Sequence, residues 1–290
     1  MPQGDSYTSG TLLPPTATGA YAAWASNEEG YVCGSDMSQH PHFLLAQRYV
    51  AERLLVPDYL FAHERDCFYL RNHCHIENRR GARFIRPSLC AKFMLKTGTA
   101  LIAEQLQPGN PKQLWMPTYH GTAPDNVMSI LQNGLRVPGS VLSTGAVVPT
   151  TNGSALGLGV YTSIMPLYAQ LYAPIEEWNG KFYQTFFMLC QSPDNITKQG
   201  CSGAATRGLM GRNDVFKLYG GHVSESETQF MTTNTADMVF SALLIKVHDV
   251  DPRAPGGEFH DVVRVLEQID RDTAAANVGA AAAPAVSARR

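Results

Sequence analysis

The fold is decided by residues 115–137, which read WMPTYHGTAPDNVMSILQNGLRV. The first part is a short apolar run with a polar tip at His120, which predicts a strand. The residues after it fit a capping box, with Thr122 as the N-cap and an acidic residue three positions later. Apolar residues three and four apart then predict a helix that ends at Gly134, a residue suited to a left-handed C-cap. Residues 135–137 predict a second strand.

The chain beyond this stretch has the pattern of a mainly antiparallel sheet. Residues 138–159 are rich in glycine and small polar residues, which predicts a long loop of functional interest. A short helix is expected over 166–173. Strands are predicted at 159–163, 182–190, 229–232 and 242–247. Loops, and not helices of crossover length, separate most of these strands, so we expect an α+β fold and not a doubly wound parallel sheet.

Composition excludes several classes of protein. The 290 residues are 44% hydrophobic and 17% charged, which is enough apolar material for a folded core. Lys and Arg number 23 against 25 Asp and Glu, a net charge of −2, so a general polyanion binder is not expected. No apolar run reaches the roughly 18 residues that cross a bilayer, so no membrane partner is expected. The first residues lack the pattern of a secretory signal, and we expect an intracellular protein (cytoplasmic or nuclear) with free thiols.

The two ends of the chain differ in composition from the residues between them. Residues 1–20 predict a flexible arm, and the Ala-rich residues 273–290 predict a disordered tail. Residues 21–110 are expected to form a helix-rich N-terminal region, because apolar residues in 43–55 recur three and four apart. A catalytic domain is expected over 111–272.

Five arginines cluster in the N-terminal region and allow two interpretations. Either they form a solvated face, or they form a phosphate-facing patch that meets nucleic acid. The residues are Arg71, Arg79, Arg80, Arg83 and Arg86.

Cysteine and histidine also cluster there. Six residues separate Cys67 from Cys74, and His73 and His75 flank the second cysteine. Zinc sites usually contain tighter cysteine pairs, so this loose spacing favours ordinary cysteines and surface histidines. A structural metal remains the alternative, and no metal ligand is assigned.

Several motifs occur in one order along the chain and carry a family resemblance. They are Tyr119-His120-Gly121-Thr122, Ile130-Leu131-Gln132-Asn133-Gly134-Leu135-Arg136, Gly157-Leu158-Gly159-Val160-Tyr161, and Tyr172. Over about residues 114–248 this order resembles the catalytic domain of the poly(ADP-ribose) polymerase-like (diphtheria-toxin-type, His-Tyr-Glu) ADP-ribosyltransferases. The resemblance implies two packed antiparallel sheets around a cleft that binds NAD as co-substrate.

The resemblance also implies a role for each motif residue. His120 would bind the ribose on the adenosine side, and the backbone of Gly121 would bind the nicotinamide carboxamide. Tyr161 and Tyr172 would stack on the nicotinamide ring. The loop at 138–156 would cover the donor site. The remaining cofactor-binding candidates are Thr122, Arg136 and Ser163.

The third catalytic position departs from the family, which places an acidic residue there. Alignment on the run that starts at Gln229 puts a glutamine in this position, which keeps a hydrogen-bond acceptor but loses the negative charge. A shift by two residues would place Glu227 there instead, because Glu225, Glu227 and Gln229 share a face if the chain is extended. The aromatic and apolar residues that follow Gln229 favour the first alignment, and both stay open.

A second departure concerns Ala169, which occupies the position where many members have a serine that bonds the carboxamide. Ser163 is the candidate substitute. With both departures, the resemblance implies mono-ADP-ribosyl transfer from NAD to a protein or nucleic-acid acceptor and not polymer formation. The alternative is a degenerate member that binds NAD, ADP-ribose or a partner protein without turnover.

Overall fold

The computed structural model describes residues 31–33, 40–70, 76–79, 82–142, 144–149, 156–200, 215–219, 223–264, 267–268 and 271. The helices are α1 (Pro41–Glu52), α2 (Lys96–Gln105), α3 (Val127–Asn133) and α4 (Pro166–Gln170). The strands are β1 (Tyr31–Cys33), β2 (Cys67–Tyr69), β3 (Ile76–Arg79), β4 (Ala82–Ile85), β5 (Cys90–Met94), β6 (Met116–Thr122), β7 (Val160–Thr162), β8 (Glu176–Trp178), β9 (Lys181–Gln191), β10 (Lys198–Gly200), β11 (Gln229–Thr232) and β12 (Met238–His248). Residues 258–264 are also helical.

The strands form antiparallel sheets, which confirms the predicted α+β class. The larger sheet has seven strands in the order β1-β2-β5-β12-β9-β6, with β8 also paired to β9. The smaller sheet has the order β10-β11-β7, and β3 pairs with β4 in a hairpin. Every named pair of strands is antiparallel.

The centre of the large sheet explains the near-continuous apolar runs in the sequence. β9 and β12 pair along ten positions, and residues 241–248 of β12 are buried without alternation. A mainly apolar segment that is buried without alternation is typical of a strand whose two faces are both covered. On one face, α1 buries residues such as Phe43 and Tyr49. The Tyr49 ring stacks on Tyr183 of β9 with ring centroids 4.1 Å apart.

The N-terminal region contains more strand than the sequence predicted. A helix-rich region was expected over 21–110, and its described residues form five strands beside two α-helices. β5 pairs directly with β12, so its strands belong to the same sheet as the later part of the chain. Short strands such as β2, with only three residues, carry too few positions for a periodic signal. The predicted arm and tail, residues 1–20 and 273–290, lie outside the described residues.

Two details around the opening motif also differ from expectation. The capping box is wrong: Thr122 ends β6, and the following 3₁₀ turn (Pro124–Asn126) has no side-chain cap. Residues 135–137 do not form a strand. Gly134 does have the positive φ expected at the end of α3, at 73°, but its ψ of 176° is extended and not left-handed helical.

No helix within the described ranges is long and apolar enough to cross a membrane.

Candidate functional site

The edges of the two sheets meet at the strand that carries the Tyr-His-Gly-Thr motif. β6 is the edge strand of the large sheet, so only one side of the β6 backbone is hydrogen-bonded to β9. On the other side, the Tyr119 N–H donates to the Ser163 carbonyl oxygen at 2.7 Å, and the Ser163 N–H donates to the Tyr119 oxygen at 3.0 Å. These bonds hold β7 and the residues that follow it beside β6.

Gln191 strengthens this junction, and nothing in the sequence pointed to it. Its Oε1 accepts hydrogen bonds from the hydroxyl of Thr162 in β7 at 3.1 Å and from that of Thr118 in β6 at 3.4 Å. All three side chains are buried. Because the bond to Thr162 runs between the two sheets, only the tertiary structure shows which buried glutamine makes it.

His120 is fixed by its neighbour across the junction. Its Nδ1 lies 2.8 Å from the carbonyl oxygen of Tyr161, which can only accept, so Nδ1 carries the proton. Burial lowers the pKa of His120 below its usual range, and the hydrogen bond to Tyr161 opposes this effect only in part. The imidazole is therefore neutral at pH 7, and Nε2 is left as an acceptor.

Gly121 combines an open backbone with close packing. In an antiparallel strand, residues two apart point their N–H and C=O groups to the same side. Since Tyr119 directs both groups away from β9, Gly121 does so too, and neither group has a partner among the described residues. A Cβ at this position would lie 2.1 Å from the Ala169 carbonyl oxygen and 2.8 Å from the Ala173 nitrogen. Only glycine fits between β6 and the turn that follows α4.

The hydroxyl groups of Tyr161 and Tyr172 already have hydrogen-bond partners, so a ligand would contact the aromatic rings of these residues. The Tyr161 hydroxyl donates to the Gly157 carbonyl oxygen at 2.6 Å and accepts from the Leu156 N–H at 3.0 Å. The Tyr172 hydroxyl lies 3.2 Å from that of Tyr168, with the two ring centroids 5.5 Å apart. Both tyrosines are half-buried.

These residues surround one cavity of about 680 Å³, within the range of small-molecule sites. Hydrogen-bonded residues of the 138–149 segment form one wall, where the Gly139 N–H donates to the Val148 oxygen at 2.9 Å. The lining includes eight of the nine predicted site residues: His120, Gly121, Thr122, Arg136, Tyr161, Ser163, Tyr172 and Gln229.

The charged side chains that line the cavity in the described structure are both positive. Arg136 and Arg253 are the charged residues among the described side chains that line it. Arg253, which sequence reasoning missed, is paired with Asp251 at 2.7 Å, whereas Arg136 is exposed. No carboxylate belongs to this described lining. The cavity therefore suits an anionic ligand.

Gln229 lines this space, and its side chain carries an unsatisfied acceptor. It is the first residue of β11, which pairs with β7, and its side chain is 4% exposed. The Oε1 atom is buried and has no hydrogen-bond partner in the described structure. A buried acceptor without a partner costs about 1–3 kcal/mol, so a donor that reached this atom would stabilise the protein.

Glu227 does not reach the cavity. Residues Glu225–Glu227 form a 3₁₀ turn, so the extended arrangement that would align both glutamates with Gln229 is wrong. The Glu227 carboxylate accepts from the Ser224 hydroxyl at 2.8 Å and from the Ser224 N–H at 3.0 Å. It lies in a separate surface groove with Lys198 and Phe230.

The side chains of the two remaining candidate residues, Ser163 and Thr122, form hydrogen bonds with nearby backbone atoms. The Ser163 Oγ accepts from the Met165 N–H at 3.0 Å and keeps its own proton for donation. The Thr122 hydroxyl donates to the Ala123 oxygen at 3.4 Å.

The N-terminal arginines and cysteines do not build a second site in the described ranges. Arg86 is 7% exposed and is not part of an exposed patch. Arg71 and Arg80 lie outside the described residues, while Arg79 and Arg83 fall in the β3–β4 hairpin. Cys67 is buried in β2, and burial raises the pKa of its thiol. His73, Cys74 and His75 are not described, and no cluster of three metal-binding side chains occurs among the residues that are.

No protein-family model matches this chain, and no curated protein matches it.

Proposed function

We propose that this cavity binds NAD and that the chain transfers a single ADP-ribose unit from it to a protein or nucleic-acid acceptor, with release of nicotinamide. The proposal depends mainly on one observation: His120 and Tyr161, which lie 41 residues apart, are joined at 2.8 Å beside the open backbone of Gly121. The ADP-ribosyltransferase-type fold is part of the same proposal, supported by two antiparallel sheets that meet at this site.

Each part of NAD has a chemically matched group in the lining. A carboxamide both donates and accepts, as do the N–H and C=O of Gly121. Neutral His120 offers an acceptor to a ribose hydroxyl, and exposed Arg136 offers positive charge to the pyrophosphate. The rings of Tyr161 and Tyr172 suit the flat pyridine, each stack contributing about 0.5–1.5 kcal/mol.

The transfer breaks the bond between the ribose C1′ and nicotinamide and forms one between C1′ and the acceptor, which loses a proton. In the chain itself, Gln229 would accept from a hydroxyl of the nicotinamide ribose and orient it. As a neutral amide it stabilises developing positive charge much less than a carboxylate does. We therefore expect slow transfer, and Ala169 in place of a serine removes one further donor to the carboxamide.

One observation favours a second function, which is NAD binding without turnover. The described lining contains two arginines and no carboxylate. A site of this composition could hold NAD as a ligand and leave its glycosidic bond intact.

A labelling experiment separates the two functions. The protein is incubated with NAD labelled in the adenine part, and both covalent label and free nicotinamide are measured. Transfer predicts both signals in the unaltered chain and an increase in Gln229→Glu. Binding alone predicts neither signal but a rise in thermal stability, which at 100 times the dissociation constant is about 2.7 kcal/mol.

Two further variants test the assignments. Glu227→Gln should leave both signals unchanged, because that carboxylate lies outside the cavity. His120→Ala should remove them. If neither NAD binding nor labelling occurs in the unaltered chain, both functions are wrong.

A further inference from the structure

Residues 169–173, at the end of α4 and in the turn after it, form one wall of the part of the cavity proposed to hold nicotinamide, here called the nicotinamide slot. The position of this turn is narrowly fixed. Residues 169–173 pack on Gly121 so closely that a Cβ there would meet three of their backbone atoms within 3.0 Å. The same turn carries Tyr172 into the cavity lining. A small shift of the turn would therefore change the distance between the open backbone of Gly121 and the Tyr172 ring.

The turn is held by a side chain that is not part of the cavity. α4 has only five residues, and beyond it the Ala173 N–H donates to the Gln170 carbonyl oxygen at 3.0 Å in a single short turn. The amide nitrogen of Gln184, on β9, donates to the carbonyl oxygens of Gln170 and Ala173, both at 2.9 Å. Gln184 is fully buried.

The orientation of the Gln184 amide is itself determined. Its two carbonyl partners can only accept, so the nitrogen faces them and Oε1 faces the other way. There, Oε1 lies 3.1 Å from Nε2 of His248 on β12. Burial lowers the pKa of His248 to about 4, so the ring is neutral at pH 7 and donates through Nε2. Gln184 pairs with Lys246 across the strands, which makes His248 its diagonal neighbour on the same face.

The neighbouring ion pair supports the same turn. Lys246 is 1% exposed, and its Nζ lies 2.5 Å from Glu258 and 3.4 Å from the side-chain oxygen of Gln170. Glu258 begins the helical residues 258–264. The turn is therefore bound to β9, to β12 and, through Lys246, to this helical segment.

We propose that Gln184 is a positioning residue for the nicotinamide slot: its amide holds residues 169–173 against Gly121 and so fixes the place of Tyr172. The inference rests on the proposed NAD site. Gln184 itself does not line the cavity.

The test uses Gln184→Met, which has a similar length and no hydrogen-bond donor. Its matched control is Ser241→Ala, which removes a part-buried side-chain bond of 2.9 Å to the Met188 oxygen on the same pair of strands, between two residues outside α4. Two quantities are measured: the dissociation constant for NAD, and hydrogen exchange at the Tyr172 and Ala173 amides, which bond within the turn.

We expect both variants to lower the melting temperature. Only Gln184→Met should weaken NAD binding, by about tenfold, and speed exchange at the two amides. Gln184→Glu, which keeps the acceptor for His248, should also weaken binding, since a carboxylate repels the two carbonyl groups.

The outcomes separate this inference from the proposed function. If Gln184→Met binds NAD as tightly as the unaltered chain, the inference is wrong and the proposed function is unaffected. Equal weakening in Ser241→Ala would also overturn it, because the effect would then be loss of stability alone. If the unaltered chain binds no NAD, the proposed function and the nicotinamide role of Gln184 both fall.

Discussion

Gly121 and Ala169 are in such close contact that a methyl group on residue 121 would lie 2.1 Å from the Ala169 carbonyl oxygen. The glycine belongs to the edge strand of the large sheet, and the alanine to a short helix 48 positions later. Because the obstructing atom is backbone, no side-chain rotation can relieve the contact. The site is therefore sensitive to any enlargement at this position.

Gly121→Ala should destabilise the protein by about 1–3 kcal/mol, the usual effect of overpacking a filled interior. It should also abolish NAD binding, since the turn that carries Tyr172 must move. Chemical denaturation and a binding titration measure the two effects. Gly200→Ala is the control: its Cβ would come no closer than 3.6 Å to a leucine side chain, so little change is expected. A stable Gly121→Ala protein with normal binding would contradict the observed packing.

NAD affinity should fall in acid through His120. Its pKa is lowered by burial, so the contribution of the neutral ring to stability is present above its unfolded pKa of about 6.5 and is lost as the pH falls through the lower folded value. Protonation also removes the Nε2 acceptor. Titrations from pH 8 to pH 5 should show weaker binding at the acid end.

His120→Gln, which keeps an acceptor but does not titrate, should flatten this pH profile. His260→Gln, on the C-terminal helical segment and outside the cavity lining, should leave it unchanged. The same acid slope in His120→Gln would exclude His120 as the titrating group.

Gln229→Met should have opposite effects on stability and binding. It removes the buried Oε1 that lacks a partner in the described structure, so the free energy of unfolding should rise by about 1 kcal/mol. It also removes the acceptor proposed for the ribose, so NAD affinity should fall. Denaturation and titration of the same preparation show both. A variant that loses stability would mean that the Gln229 amide has an energetically important partner in the protein.

The carboxamide should decide the choice of ligand. Gly121 offers one donor and one acceptor, and the acceptor can only be matched by a ligand N–H. The nicotinic acid analogue of NAD has a carboxylate there, which the Gly121 carbonyl oxygen repels. We expect it to bind at least about tenfold more weakly than NAD in parallel titrations, the factor that corresponds to 1.4 kcal/mol. Equal affinity would show that Gly121 does not read the amide.

Much of the local structure could be predicted from the sequence. The strands β7, β9 and β11 were expected within one residue of their observed bounds, because apolar runs with flanking loop residues are strong signals, whereas β12 begins four residues before the expected 242–247. The short strands β1 and β2 and the hairpin β3–β4 were missed. The place of β1 and β2 in the large sheet depends on their pairing with each other and with β5, which the local pattern does not show.

The sequence alone determined which residue types were available to the site, a histidine, a glycine and two tyrosines in fixed order, because these follow from the order of the chain. Which of Gln229 and Glu227 lines the cavity was decided by tertiary structure. Pairing of β11 with β7 places Gln229 at the cavity, while a local hydrogen bond to Ser224 turns Glu227 into another groove. Two residues of separation do not reveal this, since pairing between strands fixes Gln229 in β11 while the capping box of Ser224 and Glu227 fixes the 3₁₀ turn.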